Sequence, residues 1–352
     1  MSCKRPSRSE KDAKARSDKI DRQLMTEARK TKKEIKMLLL ESGNAGGAEL
    51  LRQLKLIYQG YTASEREAYK EVIFSNAIQA MRSILEALPD LGLTLSPDND
   101  ASSAIILSHP SHPNQAEYKI LPRDIADAIH TLWHDPAIQA VIRRSNEFDM
   151  NDSAIYYFST IDRLALPGYL PTDQDILRCR FETTGISETS FVVGDVMYKF
   201  FYPGAQRGER KKWIHQFENV TAVVFAVNLA DYDEMPCDKS TTHLQEAISD
   251  FDSICNSKWL SQTSFILLFN HTDHFADKLP HTPLGDYFRG GNDSDAALDY
   301  LLHRFVSLNQ SSAQRQIYIH YYCSNDPQKV GSILSSIQDI LLQLDLRRRR
   351  LL

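Results

Sequence analysis

The hydrophobic positions of this chain fall into two regimes, and the change between them sets the expected architecture. Near-continuous apolar runs occupy Ile35 to Leu40, Ala222 to Val227, Phe265 to Phe269 and Ile317 to Tyr322. A strand covered on one face alternates apolar with polar residues, so runs without alternation predict strands buried on both faces of a mainly parallel sheet. Phe191-Val192-Val193, Gly194-Asp195 and Val196 to Phe201 read instead as two strands joined by a tight Gly-Asp turn, the signal of a hairpin. Helical stretches at Leu244 to Ile254, Ala296 to Leu308 and Val330 to Leu344 separate the later runs. Strand and helix alternating in this way predict an α/β domain.

Between Leu50 and about Pro171 the spacing is helical throughout. Leu54, Ile57 and Tyr58 begin it, and Val72, Ile73, Ala77, Ile78, Met81, Leu85 and Leu88 form a strong stripe. Pro89, Pro97 and the run His109 to Pro113 break the pattern into segments, and Ile125 to Arg144 and Asp152 to Arg163 complete the set. A helical domain of its own is therefore expected to interrupt the α/β domain. Ahead of both, residues 7–33 are rich in Lys, Arg, Ala, Asp and Glu, with Ile20, Leu24 and Ala28 recurring every four residues. That predicts a long, mostly exposed helix with one narrow apolar stripe, which calls for a partner surface.

Composition narrows the class. A chain of 352 residues has room for two domains with ample cores. Its 42% hydrophobic and 25% charged content is that of an ordinary soluble protein. Cys3, Cys179, Cys237, Cys255 and Cys323 are scattered without metal or redox spacing, which points to a reducing, intracellular compartment. The longest apolar run, Ala222 to Val227, is too short to cross a bilayer, and the pattern at the start leads us to expect no secretory signal. Charge is uneven: residues 1–36 carry 13 Lys/Arg against 6 Asp/Glu, a difference of +7, in a chain of net charge -5. The tail adds Arg347 to Arg350. Solvated charge is one reading of these ends, and attraction to an anionic membrane face is the other. Nothing in the pattern calls for nucleic acid, a catalytic triad or a zinc cluster.

The segment Leu40 to Gln53, LESGNAGGAELLRQ, follows the first apolar run and precedes a helical pattern, the place of a phosphate-binding loop. A working loop reads G-x-x-x-x-G-K-[ST]: its backbone N–H groups hold phosphates, its lysine neutralises them and its hydroxyl ligates Mg²⁺. Here that frame reads Glu41, Ser42, Gly43, Asn44, Ala45, Gly46, Gly47, Ala48. Glycines survive in part, while the lysine and the magnesium hydroxyl do not.

Four segments carry a resemblance. SNAIQAMRSILEAL (75–88), LRCRFETTGISET (177–189), GERKKWIHQFENVTAVVF (208–225) and FDSICNSKW (251–259) closely resemble heterotrimeric G-protein alpha subunits, with a match from about residue 18 onward. The resemblance implies a Ras-like GTPase domain, a mainly parallel six-stranded sheet with helices on both faces, with an inserted all-α helical domain and an N-terminal helix. It places the N-terminal helix at 1–34, the Ras-like domain at 35–60 and 178–352, and the helical domain at 61–177. It implies GTP/GDP and Mg²⁺ held between the two domains, a beta–gamma dimer docked on the N-terminal helix and a seven-helix receptor that takes the C-terminal helix. The effector is left unnamed.

Position by position, Arg180 matches the arginine that stabilises charge on the transferring phosphoryl group, and Gln206 the glutamine that orients the attacking water. Thr183 matches the switch threonine that ligates Mg²⁺, whose partner hydroxyl is lost at Ala48. Asn270 and Asp273 match the ends of the guanine-reading N-K-x-D motif, with His271 in place of its lysine, and Ser324 falls in the loop under the base. Gly43, Asn44, Ala45, Gly46, Gly47 and Ala48 form the loop itself, and Asp152 matches a helical-domain segment near the nucleotide. In the family's D-V-G-G-Q segment this chain has Tyr202, Pro203, Gly204, Ala205 and Gln206, so the aspartate that steadies Mg²⁺ is a tyrosine and the second glycine carries a methyl. Glu41 and Glu49 put carboxylates at the two ends of the loop, where they are placed to repel phosphate. Glu49 reads equally as a first-turn helix residue favoured by the dipole.

Magnitudes turn these departures into an expectation. A hydrogen bond to a charged group contributes about 1.5–3 kcal/mol, so losing the lysine and two magnesium-shell contacts costs roughly 5–8 kcal/mol, or about four to six decades of affinity. Nucleotide binding and hydrolysis are therefore expected to be weakened or lost, leaving a signalling adaptor. The alternative is an active guanine-nucleotide switch, favoured by Arg180, Thr183, Gln206, Asn270 and Asp273; a third reading is a protein that sequesters beta–gamma. At the start, Ser2 replaces the glycine of a myristoylation signal, while Cys3 beside basic residues is a candidate for palmitoylation. The expected location is peripheral, on the cytoplasmic face of the plasma membrane.

Overall fold

The computed structural model describes residues 34–42, 45–109, 118–144, 153–180, 186–203, 220–235, 241–261, 263–288, 293–311, 315, 317–321 and 327–348. The N-terminal segment expected to be a helix lies outside the described residues. The chain divides into two compact units, one made of residues 1–59 with 183–352 and the other of residues 60–182.

The first unit is built on a six-stranded sheet. Its strands are β1 (Glu34–Glu41), β2 (Ser187–Val193), β3 (Val196–Tyr202), β4 (Ala222–Asn228), β5 (Ser264–Asn270) and β6 (Ile317–Tyr321), in the order β2-β3-β1-β4-β5-β6. Only the β2–β3 hairpin is antiparallel; β1 pairs in parallel with β3 and β4, and β5 with β4 and β6. The uninterrupted apolar runs are explained by what covers them, because alternate residues of a strand point to opposite faces. Leu38, Val223, Phe225, Leu267 and Phe269 meet residues of the helices His243–Cys255 and Ser294–Val306 on one face. Met37, Leu39, Val224, Ile266 and Leu268 meet α1 (Gly47–Tyr58) and the long helix Pro327–Arg348 on the other, through Leu50, Leu54, Ile333 and Ile337. Helices thus lie on both faces of the sheet, the α/β class expected from the sequence.

The second unit is entirely helical among its described residues. Its longest helix, Ala63–Ala87, starts at a capping box in which Thr62 and Glu65 satisfy each other's backbone N–H groups. The apolar stripe from Ile73 to Leu88 forms the centre of that unit's core. One sequence expectation is corrected here. The pattern Ile125 to Arg144 is two helices, Arg123–Trp133 and Pro136–Arg143, divided at Asp135. Pro136 has no N–H to continue a helix but suits its first turn, and the Asp135 carboxylate caps the new start through Ala137 N–H at 2.8 Å. The stretch from Asp152 to Arg163 is likewise divided, into Ala154–Ser159 and Ile161–Leu164.

Asp175, fully buried, ties the end of this unit together. It accepts from the Tyr156 hydroxyl at 2.6 Å, the Tyr169 hydroxyl at 3.0 Å, Thr172 N–H at 2.8 Å and two Arg163 guanidinium nitrogens at 2.9 and 2.7 Å. Burial alone pushes its carboxyl up, but the bonds from Arg163, Tyr156 and Thr172 outweigh that and hold it well below the usual carboxylate range. Among the described residues no helix is long and apolar enough to cross a membrane.

Candidate functional site

The loop after β1 lies at the C-terminal ends of the parallel strands, the edge where open α/β sheets place their ligands. Gly46 starts α1 in the left-handed region at φ 80°, and a Cβ there would collide with the Asn270 side chain. Glycine is therefore required both by the backbone and by the close approach. Asn270 is fully buried at the end of β5, and its Nδ2 donates to the Ala45 carbonyl at 3.0 Å. Its Oδ1 accepts from His271 N–H at 2.8 Å. One side chain thus fastens the segment Asn270 to Asp273 to the loop. His271 takes up φ 55°, an uncommon conformation for a residue with a side chain, and precedes the short helix Thr272–Lys278 that carries Asp273 in its first turn.

The other side of the loop holds the principal departure from the sequence expectation. Glu41 is not aimed outward to repel phosphate. It is 4% exposed, and its Oε2 accepts from Gly47 N–H at 2.8 Å. Its Oε1 accepts from the Tyr202 hydroxyl, which reaches it from the end of β3, the strand beside β1. Burial pushes the Glu41 carboxyl above its ordinary range; the Tyr202 hydroxyl, the Gly47 and Ala45 backbone and the Arg52 charge pull the other way without overcoming it. At Gly47 a Cβ would lie 2.9 Å from Glu41 Oε2 and 3.1 Å from Leu39 Cδ2, so the carboxyl lies closer to this position than it could to a residue with a side chain without shifting its tip. Ala48 packs its methyl against the core beneath. Glu49 accepts from Gln53 Nε2 at 3.2 Å along the helix, which favours its reading as a first-turn helix residue over one of repulsion.

The structure therefore brings together Ala45, Gly46, Gly47, Ala48, Asn270, His271 and Asp273. Arg180 belongs to the helical unit. There Asn76 pins its backbone from both sides, accepting from Arg180 N–H at 2.7 Å and donating to its carbonyl at 3.0 Å, while the residue itself is exposed. Gly43, Asn44, Asp152, Thr183, Gly204, Ala205, Gln206, Ser324 and Cys3 lie outside the described residues. Sequence reasoning noted Glu41 and Tyr202 as separate departures and did not pair them. The available signal was their common site: both replace residues that the resemblance assigns to the phosphate and magnesium end of the nucleotide site.

A triphosphate with its Mg²⁺ is the group that the loop's position implies. The described residues do not fit its charged end. Position 47 offers no ammonium, position 48 no hydroxyl and position 202 no carboxylate, and the Gly47 N–H already has an acceptor. Fit on the base side is better, since Asn270 holds the segment carrying Asp273 against the loop. His271, Asp273 and His274 also bring ligand-type atoms within 4.8 Å of one another beside it.

A two-faced sheet of this order, interrupted in sequence by an all-helical unit and carrying a loop and an Asn-x-x-Asp segment side by side, defines the Ras-like GTPase class. The comparisons narrow it. The model of the G-protein alpha subunit family matches residues 14–341. The chain is 56% identical to a guanine nucleotide-binding protein subunit alpha of Coprinellus congregatus, over 100% of both chains. It is 49% identical to the guanine nucleotide-binding protein alpha-1 subunit of Mycosarcoma maydis, over 97% of both. It is 47% identical to the G-protein complex alpha subunit gpaA of Aspergillus fumigatus, over 96% of both. The chain belongs to the G-protein alpha subunit family. That membership carries a role in signal transduction, in a family that binds guanine nucleotide with Mg²⁺, partners with beta–gamma dimers and receptors, and associates peripherally with membranes.

Proposed function

We propose that this chain is a G-protein alpha subunit that passes signals from a seven-helix receptor with a beta–gamma dimer while its control by nucleotide is weakened or lost. The observation that carries this reading is the Glu41 side chain on Gly47 N–H, anchored by Tyr202, in a loop with no lysine at 47 and no hydroxyl at 48. A backbone donor already bonded to protein has less to offer a phosphate, and the charge that would neutralise one is absent. Arg180 and Gln206 correspond to the hydrolytic pair and Thr183 to a magnesium ligand, but such side chains act only on a nucleotide that is bound and positioned.

On this reading the organisation is an N-terminal basic helix over 1–34 that contacts beta–gamma and the membrane, a Ras-like domain over 35–60 and 178–352, and a helical domain over 61–177. Cys3 is the candidate acyl site, working with the neighbouring basic residues at the cytoplasmic face of the plasma membrane. The segment Arg207 to Phe217 supplies the protein-contact surface for beta–gamma or an effector, and the C-terminal helix the receptor contact. Nucleotide extracted from purified, denatured protein tests the central point. The expected content is far below one GDP per chain, and stoichiometric GDP defeats the proposal.

A second reading, an active GTPase switch, is favoured by a specific observation: Asn270 still bonds the Ala45 carbonyl and so holds the base-reading segment against the loop. The relatives bear ordinary alpha-subunit names as well. Saturable binding of a non-hydrolysable GTP analogue with Mg²⁺ supports the switch, and no binding at millimolar analogue excludes it.

A further inference from the structure

Glu41 stands at the first position of the loop frame, where a phosphate-binding loop has glycine. Its side chain does not leave the loop; it folds back over it. Gly47 is the first residue of a 12-residue helix, and the leading N–H groups of a helix have no partner inside it and carry partial positive charge. Those are the donors a bound phosphate uses. Here the donor at Gly47 is taken by an oxygen of the chain itself, at 2.8 Å.

Resting on the reading above of weakened nucleotide binding, we propose that the Glu41 carboxyl group, held in place by the Tyr202 hydroxyl, is an internal ligand that occupies a phosphate position of the loop and competes with nucleotide for it. Three residues then form a matched set. Glu41 supplies the oxygen, Tyr202 fixes its other oxygen from the neighbouring strand, and Gly47 supplies both the donor and the room. The room is specific: a Cβ at position 47 would stand 2.9 Å from Glu41 Oε2, closer than real Cβ atoms come to another atom. A side chain at 47 therefore requires the tip of the Glu41 carboxyl to move off the position it holds here. Burial makes the arrangement self-consistent, since a buried carboxyl without donors would be strongly unfavourable and this one has donors on both oxygens. Glu41 thereby becomes a residue that sets what the loop can accept, distinct from the ligands that are merely missing.

The test uses the full chain, inorganic tripolyphosphate and GDP, each with Mg²⁺, and titration calorimetry. Glu41→Ala removes the oxygen and is expected to tighten tripolyphosphate binding by about tenfold or more, the worth of one good hydrogen-bond donor returned to the ligand. Glu41→Gln keeps the shape and an acceptor oxygen but not the ionisable group, and is expected to gain less. Tyr202→Phe frees the carboxyl from its anchor and is expected to gain least. If Glu41→Ala and Glu41→Gln both fold and bind tripolyphosphate no more tightly than the unaltered chain, the proposal is overturned. A measurement without variants covers the case in which they do not fold. The Gly47 amide, which has no partner within its helix, is expected to be protected from hydrogen exchange in the unaltered protein. Free exchange at Gly47 overturns the proposal equally. The affinity of the unaltered chain for GDP tests the reading of weakened binding, whereas the ratio between variant and unaltered chain tests the internal ligand, so either can fail and be recognised alone.

Discussion

Two buried carboxyl groups, one in each unit, show how the same chemistry serves opposite ends. Asp175 in the helical unit has an arginine and five donor atoms around it, and stays ionised well below the usual range. Glu41 in the loop has a tyrosine hydroxyl and backbone N–H groups, and burial moves it the other way. The difference lies in what surrounds the charge: a guanidinium in hydrogen-bonding contact offsets the desolvation of Asp175, whereas neutral donors and a less direct Arg52 do not fully offset that of Glu41. A carboxylate that is fully satisfied serves as a structural tie. One that is held but not fully compensated is a group that a better-suited ligand, or a better-suited residue, can replace.

The strongest way to sharpen that contrast is to rebuild the loop. Gly47→Lys, Ala48→Ser, Tyr202→Asp and Ala205→Gly restore the lysine, the magnesium contacts and the glycine of the family's motifs, and on sequence grounds alone should recover several decades of GDP affinity. The geometry changes that expectation, because Glu41 remains at the first position of the loop: the new Cβ displaces only the tip of its carboxyl, and losing the Tyr202 anchor leaves that carboxylate beside the phosphate position. With Glu41 retained, the four-residue variant is expected to remain weak. Adding Glu41→Gly is expected to bring most of the roughly 5–8 kcal/mol back, read as GDP affinity by titration calorimetry. Equal affinity for the four- and five-residue variants would break the contrast.

At the other carboxyl the expected effect is on stability. Asp175→Asn removes the negative partner of Arg163 and turns one of the two accepting oxygens into a donor, which then faces Arg163 together with either the Tyr156 hydroxyl at Oδ1 or the Tyr169 hydroxyl and Thr172 N–H at Oδ2. Breaking a fully buried pair costs about 3–5 kcal/mol; because the Arg163 side chain is 36% exposed, about 2–3 kcal/mol is expected here. The loss should appear in hydrogen exchange of the helices in residues 60–182. The pH dependence has a definite sign. A carboxyl held below its unfolded value contributes stability that is fully present above that value and lost as pH falls through it. The unaltered protein should therefore lose stability below about pH 4, and Asp175→Asn should flatten that slope.

Asn270 gives a smaller effect on the base side of the loop. Asn270→Ala leaves the Ala45 carbonyl and the His271 N–H without their partner in a buried place. An orphaned buried group costs about 1–3 kcal/mol, so a loss near 2 kcal/mol is expected in denaturant unfolding. If the base-reading segment is held chiefly by this side chain, exchange of the His271 and Asp273 amides should rise as well. Unchanged exchange there would show that Asn270 is not what fastens the segment.

Much of this fold was legible because its strands are covered on both faces, which writes unbroken apolar runs into the sequence. The hairpin was legible for the same kind of reason: Gly194, with φ 60°, marks its turn. The break at Asp135 was signalled by the Asp-Pro pair yet hidden by the apolar spacing that continues across it. At the site, Asn270 and the loop glycines could be placed by motif. What could not be read was the direction of Glu41, because its partner Tyr202 lies 161 residues away and enters only through strand order. Asp175 was silent for a related reason. Its five donor atoms come from four residues spread over the end of the unit, and no short motif records them.

Glu41 yields the finest prediction, and its sign is opposite to that of Asp175. Its folded-state carboxyl ionises at higher pH than in the unfolded chain. The neutral form is thus favoured by folding, and the associated stability is present at low pH and lost as pH rises from the unfolded value, about 4.3, through the folded one. Glu41→Gln keeps a neutral side chain of the same size at every pH, with an oxygen for Gly47 N–H and a terminal NH₂ for the Tyr202 hydroxyl oxygen. The gain in melting temperature over the unaltered protein should therefore be larger at pH 7 than at pH 4.5. A difference of the opposite sign would mean that the ionised carboxylate, and not the neutral acid, is the form the folded loop prefers, which would make Glu41 a second Asp175 and remove the asymmetry between the two units.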